Sequence, residues 1–385
     1  MQPLYKKAMK IGILCYPTFG GSGVVATELG KALAAKGHSV HFITYSQPVR
    51  LEHFIEGVYY HEVSIADYPL FEYAPYETAL TSKLVDVARF EKLDLVHVHY
   101  AIPHASVAYM ARQIMASQGQ HLPFITTLHG TDITLVGKNE SYSPVVTFAI
   151  DQSDAVTSVS NSLKEDTYNN FNLCKQIEVI PNFIDLSRFT KLRKDHFRRA
   201  IAPNNEKLIV HASNFRPVKR VSDVIKVFEK IVEKIPAKLL LIGDGPDRNK
   251  CEKESREIPS SEHIRFLGKM DMVEEILSIG DVFVLPSETE SFGLAALEAM
   301  ACQVPVISTN TGGLAELNVN GVTGFMSNVG DVDDMAKNAL MLLSDESVLL
   351  KFKQQALEHA RKFDIKHIMP LYENLYMRVI EGNGK

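Results

Sequence analysis

Two carboxylates near the C-terminal end of the chain bracket the segment Glu290-Ser-Phe-Gly-Leu-Ala-Ala-Leu-Glu298. The apolar run Val282–Leu285 and a proline precede it, so the pattern predicts a buried strand, a turn of small residues and then a helix. The first N–H groups of a helix are unbonded and its N-terminus is partially positive, which favours a phosphate. Flanking carboxylates can accept hydrogen bonds from sugar hydroxyls. The segment therefore predicts a nucleotide-sugar site.

The spacing of these carboxylates argues against a glycosidase pair. Glycosidase carboxyl groups lie ~5–5.5 Å apart in retaining enzymes and ~6.5–9.5 Å apart in inverting enzymes. Eight helical steps of ~1.5 Å would separate Glu290 and Glu298 by ~12 Å along the axis. We therefore predict that Glu290 contacts the transferred sugar and Glu298 the ribose. The N–H groups expected beside sugar and phosphate belong to Ser291, Phe292, Gly293 and Leu294.

A basic loop, Asn214-Phe-Arg-Pro-Val-Lys-Arg220, follows the first strand of the second half. Cations at the carboxyl end of a strand can neutralise a diphosphate, and arginine offers a bidentate fork. A solvated basic loop is the alternative. Two weaker signals follow neighbouring strands, a turn at Gly243 and a strand end before Met270 that could hold a base through backbone groups.

The loop Gly20-Gly-Ser-Gly23 lies between the first strand and the first helix. Gly21 and Gly23 allow the backbone to approach a ligand closely, and Ser22 can reach an anion or a sugar. The loop is not GxGxxG, and the second strand ends without an acidic residue, which argues against a dinucleotide site. A glycine turn without a ligand is the alternative.

Two further strand ends of the first half carry polar side chains. Tyr100 follows one strand, and Thr126-Thr-Leu-His-Gly130 closes another. A neutral His129 imidazole can donate to a sugar hydroxyl, although a core histidine is the alternative reading. The predicted acceptor contacts are Ser22, Tyr100, Thr126 and Thr127.

No metal site is predicted. Alternation places His97 and His99 on one face of a strand, but no third ligand at suitable spacing accompanies them. Asp331 and Asp333 form a DxD pair before a helical pattern, where capping of the helix is the better interpretation.

Composition sets the class of protein. The chain has 385 residues, 45% hydrophobic and 23% charged, which predicts a globular protein of two domains. The net charge of −5 gives no general affinity for nucleic acid. The four cysteines are scattered, which is typical of a reducing compartment, and no apolar run approaches ~18 residues. We expect a cytoplasmic protein without an integral membrane segment.

Strand and helix patterns alternate twice along the chain, which predicts an α/β fold with two Rossmann-like, doubly wound domains facing across a cleft. We expect an acceptor-binding domain at 1–185, joined by a C-terminal helix at about 365–385, and a donor-binding domain at 186–364. The polar stretch Phe183–Asn205 is the predicted linker. Ligands of such sheets bind at the carboxyl ends of the strands, where all the segments above are placed.

Together these segments resemble the retaining glycosyltransferases of family 4, which have the GT-B fold. The resemblance covers nearly the whole chain in the correct order. The segments that carry it are Gly20–Gly23, His129-Gly-Thr-Asp132, Ile180-Pro-Asn-Phe183, Gly243-Asp-Gly-Pro246 and Glu290-X7-Glu298.

Within this family, four stretches are most similar to the group that transfers GlcNAc from UDP-GlcNAc to L-malate, the first step of bacillithiol biosynthesis. They are Cys15–Gly23, His97–His104, Thr126–Ile133 and Ser213–Val221. The resemblance implies retention at the anomeric carbon, no cofactor or metal requirement, and a homodimer.

The resemblance also implies roles for individual residues. Lys219 would bind the diphosphate, Glu290 the sugar hydroxyls and Glu298 the ribose, while His129 would position the sugar. The family usually has an arginine five residues before the lysine, where this chain has Asn214, and Arg216 lies three residues before it. Both Arg216 and Lys219 are therefore retained as phosphate contacts.

Three alternatives remain open on the sequence. One is a family 4 transferase with another acceptor, such as an inositol phosphate, a polyprenyl lipid or a sugar. Another is a non-hydrolysing UDP-GlcNAc 2-epimerase, which would not need both Glu290 and Glu298. The last is a nucleotide-sugar sensor without turnover.

Overall fold

The computed structural model describes residues 8–51, 54–65, 72–135, 137, 139–192 and 194–382. The chain forms two compact units, Met1–Pro181 with Ile365–Lys385, and Asn182–Asp364. The sequence places the boundary after residue 185, four residues later. The difference arises because Ile184 forms a bridge with Asp364, and its N–H donates to the Phe363 carbonyl at 2.9 Å.

The first unit alternates strands and helices. Its strands are β1 (Lys10–Leu14), β2 (Ser39–Thr44), β3 (Val58–Glu62), β4 (Leu95–His99), β5 (Phe124–Leu128), β6 (Ala155–Ser158) and β7 (Ile177–Val179). Its helices before the linker are α1 (Gly21–Ala35), α2 (Tyr76–Glu91), α3 (Ser106–Ala116), α4 (Ser143–Gln152) and α5 (Asn161–Asn170).

All seven strands of this unit are parallel and have the order β3-β2-β1-β4-β5-β6-β7. The order reverses between β1 and β4, so the chains leaving these two strands turn to opposite faces of the sheet. A crevice opens at such a reversal, outside the carboxyl ends of the strands. Tyr100 directly follows β4, whereas Ser22, predicted in a loop after β1, lies in the first turn of α1.

The second unit begins with a helix, α6 (Asp195–Ile201), inside the stretch predicted as linker. Its strands are β8 (Lys207–Ser213), β9 (Ala237–Gly243), β10 (Ile264–Gly268), β11 (Val282–Leu285), β12 (Val306–Thr309) and β13 (Gly324–Ser327). Its other helices are α7 (Val221–Val232), α8 (Arg248–Glu257), α9 (Val273–Leu277), α10 (Leu294–Ala301), α11 (Leu314–Leu317), α12 (Val332–Leu343) and α13 (Glu346–Ala360).

The second sheet repeats the plan of the first. Its six strands are parallel, in the order β10-β9-β8-β11-β12-β13, and the order reverses between β8 and β11. Helix α7 illustrates the link between sequence pattern and core. Its apolar residues Val221, Val224, Ile225 and Phe228 recur at helical spacing, and all four are buried in the core. The prediction of two doubly wound parallel sheets is confirmed.

Asp331 caps helix α12, as predicted for the DxD pair. Its side chain accepts a hydrogen bond from the Asp334 N–H at 3.0 Å. Asp333 instead forms an ion pair with Lys230 on neighbouring α7. No described helix combines the length and the apolar character needed to span a bilayer.

The last helix, α14 (Ile365–Ile380), returns to the first unit. Tyr376 is fully buried there, and its hydroxyl lies 2.7 Å from Nδ1 of His97 on β4. The other ring nitrogen of His97 lies 2.7 Å from the Thr127 hydroxyl, so both nitrogens of this buried ring are paired. Glu373, on the same helix, lies 3.2 Å from His38, which gives α14 a second polar contact with the rest of the first unit.

We expect Tyr376→Phe to destabilise the first unit. The change leaves Nδ1 of His97 unpaired in the core, which costs about 1–3 kcal/mol of the free energy of unfolding. Because the chain has no tryptophan, far-UV circular dichroism in a urea titration is the appropriate measurement. Tyr73→Phe is the matched control, since that ring is 82% exposed. Equal unfolding curves for the two variants would contradict the assignment.

Candidate active site

An ion pair spans the strand reversal of the second unit. Lys219, in the loop after β8, places Nζ 2.5 Å from Oε1 of Glu290, in the loop after β11. The Ser287 hydroxyl donates to the same oxygen at 2.9 Å. Lys219 and Glu290 are both half-buried and still reach solvent. The structure thus brings together two residues that the sequence predicted separately.

The backbone of Glu290 is held by a glycine pair that the sequence analysis missed. The Gly313 N–H donates to the Glu290 carbonyl at 2.8 Å. A Cβ on Gly312 would lie 2.3 Å from that carbonyl oxygen, and the residue has φ +56°, so a side chain is excluded there. Thr311-Gly-Gly313 follows strand β12, and the rule that ligand loops follow parallel strands could have identified it.

The helix after Glu290 is shorter than predicted. It begins only at Leu294, because Gly293 has φ +94° and Leu314 Cδ1 occupies the space of a Cβ. Only the steps from Leu294 to Glu298 are therefore helical, and the separation estimated from eight helical steps does not apply. Glu298 is buried on α10, Phe292 is buried before it, and Ser291 is half-buried.

The three cations of the basic loop differ in their partners within the protein. Arg220 pairs with Asp223 at 2.6 Å and with Glu288 at 2.9 Å, so it is committed to the protein itself. Arg216 is exposed, and its guanidinium has no partner within the part of the chain that the structure describes. Lys219 pairs with Glu290, but it is only half-buried and still reaches solvent. Arg216 and Lys219 are thus the cations of this loop open to a phosphate.

Three other predicted donor contacts lie at the same sheet edge. Asn214 is exposed directly after β8, and Met270 is half-buried shortly after β10. Gly243, at the end of β9, has φ +120°, and a Cβ there would lie 1.8 Å from the Ser213 carbonyl oxygen. Gly243 is therefore required by the close approach of two strand ends. Its contact with a ligand stays a prediction.

A hydrogen bond spans the strand reversal of the first unit in the same way. The Tyr100 hydroxyl donates to Oγ of Ser22 at 2.8 Å. Burial raises the pKa of Tyr100 to about 12, so the phenol stays protonated. Gly21 begins helix α1, and a Cβ on Gly23 would lie 2.5 Å from the carbonyl oxygens of Tyr16 and Thr18. Close packing therefore requires a glycine at position 23, while the neighbouring Ser22 is half-buried.

His129 is neutral and held by a second histidine. Its Nε2 lies 2.8 Å from Nδ1 of His99, and the rings stack with centroids 5.0 Å apart. Burial, then the neighbouring charge of His104, lowers the pKa of His129 to about 3. The role of a neutral hydrogen-bonding group, expected from the sequence, is consistent with this environment.

The hydrogen-bond partners of His99 determine the tautomer of His129. Nε2 of His99 is buried without a partner among the described residues. A bare acceptor is tolerated there more readily than an orphaned N–H, so the His99 proton belongs on Nδ1. His99 then donates to Nε2 of His129, and the His129 proton lies on Nδ1. His129 is thereby fixed as a donor.

Asp132 joins the two loops that carry Tyr100 and His129. Its buried carboxylate accepts from the Ala101 N–H at 2.9 Å and from the Gly130 N–H at 3.0 Å. Burial raises the pKa of Asp132 to about 6 despite these hydrogen bonds. The carboxylate therefore positions the backbone rather than the His129 imidazole.

The threonines predicted to contact the acceptor are core residues. Thr126 and Thr127 are both fully buried. The Thr126 hydroxyl lies 2.8 Å from that of Ser153, and the Thr127 hydroxyl 2.7 Å from that of Thr157. Strand β5 lies between two other strands, so its side chains are covered on both faces. This arrangement does not support the predicted acceptor contact and corrects it.

Comparisons with known proteins agree with this geometry. Residues 19–188 match the family described as glycosyltransferase family 4, and residues 193–362 match the glycosyl transferases group 1. The chain is 45% identical over 381 residues to N-acetyl-alpha-D-glucosaminyl L-malate synthase of Bacillus anthracis, covering 98% of this chain and 99% of that protein.

Two more distant similarities span the chain. An uncharacterized glycosyltransferase of Methanocaldococcus jannaschii is 28% identical, covering 98% of this chain and all of its own length. The crystal structure of Anabaena Alr3699/HepE in complex with UDP-glucose superposes with a TM-score of 0.78 at 19% identity, covering 95% and 98% of the two chains. The latter shows the GT-B fold. On these similarities, the chain belongs to family 4 of the glycosyltransferases.

Proposed function

We propose that this enzyme transfers GlcNAc from UDP-GlcNAc to the hydroxyl of L-malate with retention, the first step of bacillithiol biosynthesis. The observation that carries the proposal is the 45% identity to the N-acetyl-alpha-D-glucosaminyl L-malate synthase of Bacillus anthracis, which extends over both units. The polar groups at each strand reversal would supply the chemistry that such a transfer needs.

The second unit would bind the donor. UDP becomes more negative as its bond to the sugar breaks, so fixed positive groups lower the barrier. Lys219 and the unpartnered Arg216 would supply this charge, together with the N-terminus of α10. The ion pair with Glu290 holds Lys219 in place before the donor arrives, which reduces the reorganisation needed during the reaction.

Glu290 would bind sugar hydroxyls instead of attacking the anomeric carbon. Its Oε1 already accepts hydrogen bonds from Lys219 and Ser287, which makes it a weak nucleophile. In the proposed same-face reaction, malate attacks as UDP departs, and an oxygen of the leaving phosphate takes the malate hydroxyl proton. This route needs no protein nucleophile and no metal.

The first unit would bind the acceptor. Ser22 and Tyr100 offer a hydroxyl pair, and His129 offers a fixed donor to the sugar. A cytoplasmic location, suggested by the four free cysteines, and a homodimer stay predictions.

The first test is incubation with UDP-GlcNAc and a panel of acceptors in the presence of EDTA. We expect release of UDP with L-malate and a product with the mass of malate plus one GlcNAc residue, while D-malate and inositol phosphate give little. Free UDP and product mass are measured in the same samples. Turnover of inositol phosphate without turnover of malate would replace the proposed acceptor.

The donor site is tested by removing its charged groups one at a time. We expect Lys219→Met and Glu290→Gln each to lower kcat/KM for UDP-GlcNAc by about 100-fold, since each loses a group aimed at the reacting ligand. Arg220→Gln is the matched control, because that cation already pairs with Asp223 and Glu288. Wild-type kinetics in Glu290→Gln, with folding intact, would remove Glu290 from the site.

The assigned tautomer of His129 predicts a role for His99. We expect His99→Phe to keep the stacked ring but release the His129 proton to either nitrogen, lowering kcat by about tenfold with little change in the malate KM. Nitrogen-15 NMR of labelled histidine would report an Nδ1–H tautomer for His129 in the parent and a mixture in the variant. His121→Phe, at an exposed position, is the control.

Two results would contradict this assignment. One is an Nε2–H tautomer of His129 in the parent protein. The other is an inflection of kcat between pH 5.5 and 8 that disappears in a His129 variant, since the pKa of His129 near 3 keeps the ring neutral throughout that range.

A further inference from the structure

A cluster of two histidines and one carboxylate lies in the first unit, outside the strand reversal. His41 on β2, His61 on β3 and Glu91 at the end of α2 place one ligand atom each within 4.8 Å of one another. Nδ1 of His41 is 3.0 Å from Nε2 of His61. No other group of this kind occurs among the residues that the structure describes.

The sheet register explains why these side chains meet. β2 and β3 are parallel, with His41 opposite Tyr59 and Ile43 opposite His61. Because side chains alternate between faces, His41 and His61 are diagonal neighbours on one face. Ile43 on that face belongs to the core cluster formed with α2, which brings the last residue of that helix, Glu91, to the pair.

The ligand set suits a divalent cation, because Glu91 adds a carboxylate beside two imidazole nitrogens.

The geometry is close to that of a zinc site. Zinc binds histidine nitrogen at ~2.0–2.1 Å, so two ligand atoms on one ion lie ~3.4 Å apart. The 3.0 Å separation of the imidazole nitrogens needs only a small rotation. His41 is buried and fixed, while His61 and Glu91 are half-buried and can adjust.

We propose that His41, His61 and Glu91 bind a divalent transition-metal ion, of which zinc fits best, with water completing its coordination. Two imidazoles and a carboxylate are a common ligand set for zinc. By the reasoning applied to His99, the metal-free His41 carries its proton on Nδ1. Coordination through Nδ1 moves that proton to Nε2, which has no acceptor among the described residues, and the three metal–ligand bonds offset this loss. The ion would join edge strand β3 to β2 and α2, a structural role separate from GlcNAc transfer.

The test is zinc titration of untagged, chelator-treated protein against a chromophoric competitor. All samples carry Cys174→Ser, because that exposed thiol could bind zinc by itself. We expect one tight zinc per chain, an increase in Tm on zinc addition, and full transferase activity with zinc removed. His61→Gln and Glu91→Gln should weaken binding by at least tenfold and abolish the increase in Tm.

His121→Gln is the control, since it removes an exposed histidine without touching the cluster. Circular dichroism verifies that each variant is folded. If the parent binds zinc no more tightly than His61→Gln, the two rings share only a hydrogen bond and the proposal fails. Because activity is measured separately, this failure is distinguishable from a wrong acceptor.

Discussion

The reversal of strand order in each parallel sheet is the constraint on which the functional arrangement depends. Connections on either side of the reversal turn to opposite faces, so the strand ends there are not covered by a crossing chain. In the first unit the reversal lies between β1 and β4, and in the second between β8 and β11. A contact between polar side chains of the candidate site crosses each gap, Tyr100 to Ser22 in the first unit and Lys219 to Glu290 in the second.

Close backbone packing and hydrogen bonds to backbone groups hold the loops around these contacts. Gly23, Gly293 and Gly312 each lie where a Cβ would collide with a neighbouring atom. Gly313 fixes the carbonyl of Glu290, and Asp132 fixes the amides of Ala101 and Gly130. The polar side chains are thus presented from rigid loops, which suits chemistry that depends on charge already in position.

The sequence predicted the parallel strands well because their apolar runs are short, β-branched and repeated. It predicted β11 with the same bounds that the structure shows, Val282–Leu285. It missed β3, whose residues Val58–Glu62 are mostly polar or aromatic, because that strand forms the edge of its sheet. It placed a C-terminal helix at about 365–385, and the structure has α14 at Ile365–Ile380 in the first unit.

The sequence pattern was sufficient for the class of enzyme, because glycines, cations and carboxylates at strand ends are visible along the chain. The same pattern does not distinguish exposed polar residues from buried ones. Thr126 and Thr127 resemble ligand contacts in the sequence, yet they lie in the interior strand β5, where both faces are covered. Arg220 resembles a phosphate cation, yet Asp223 and Glu288 neutralise it. Pairing and burial arise between segments distant in sequence, so only the folded arrangement decides them.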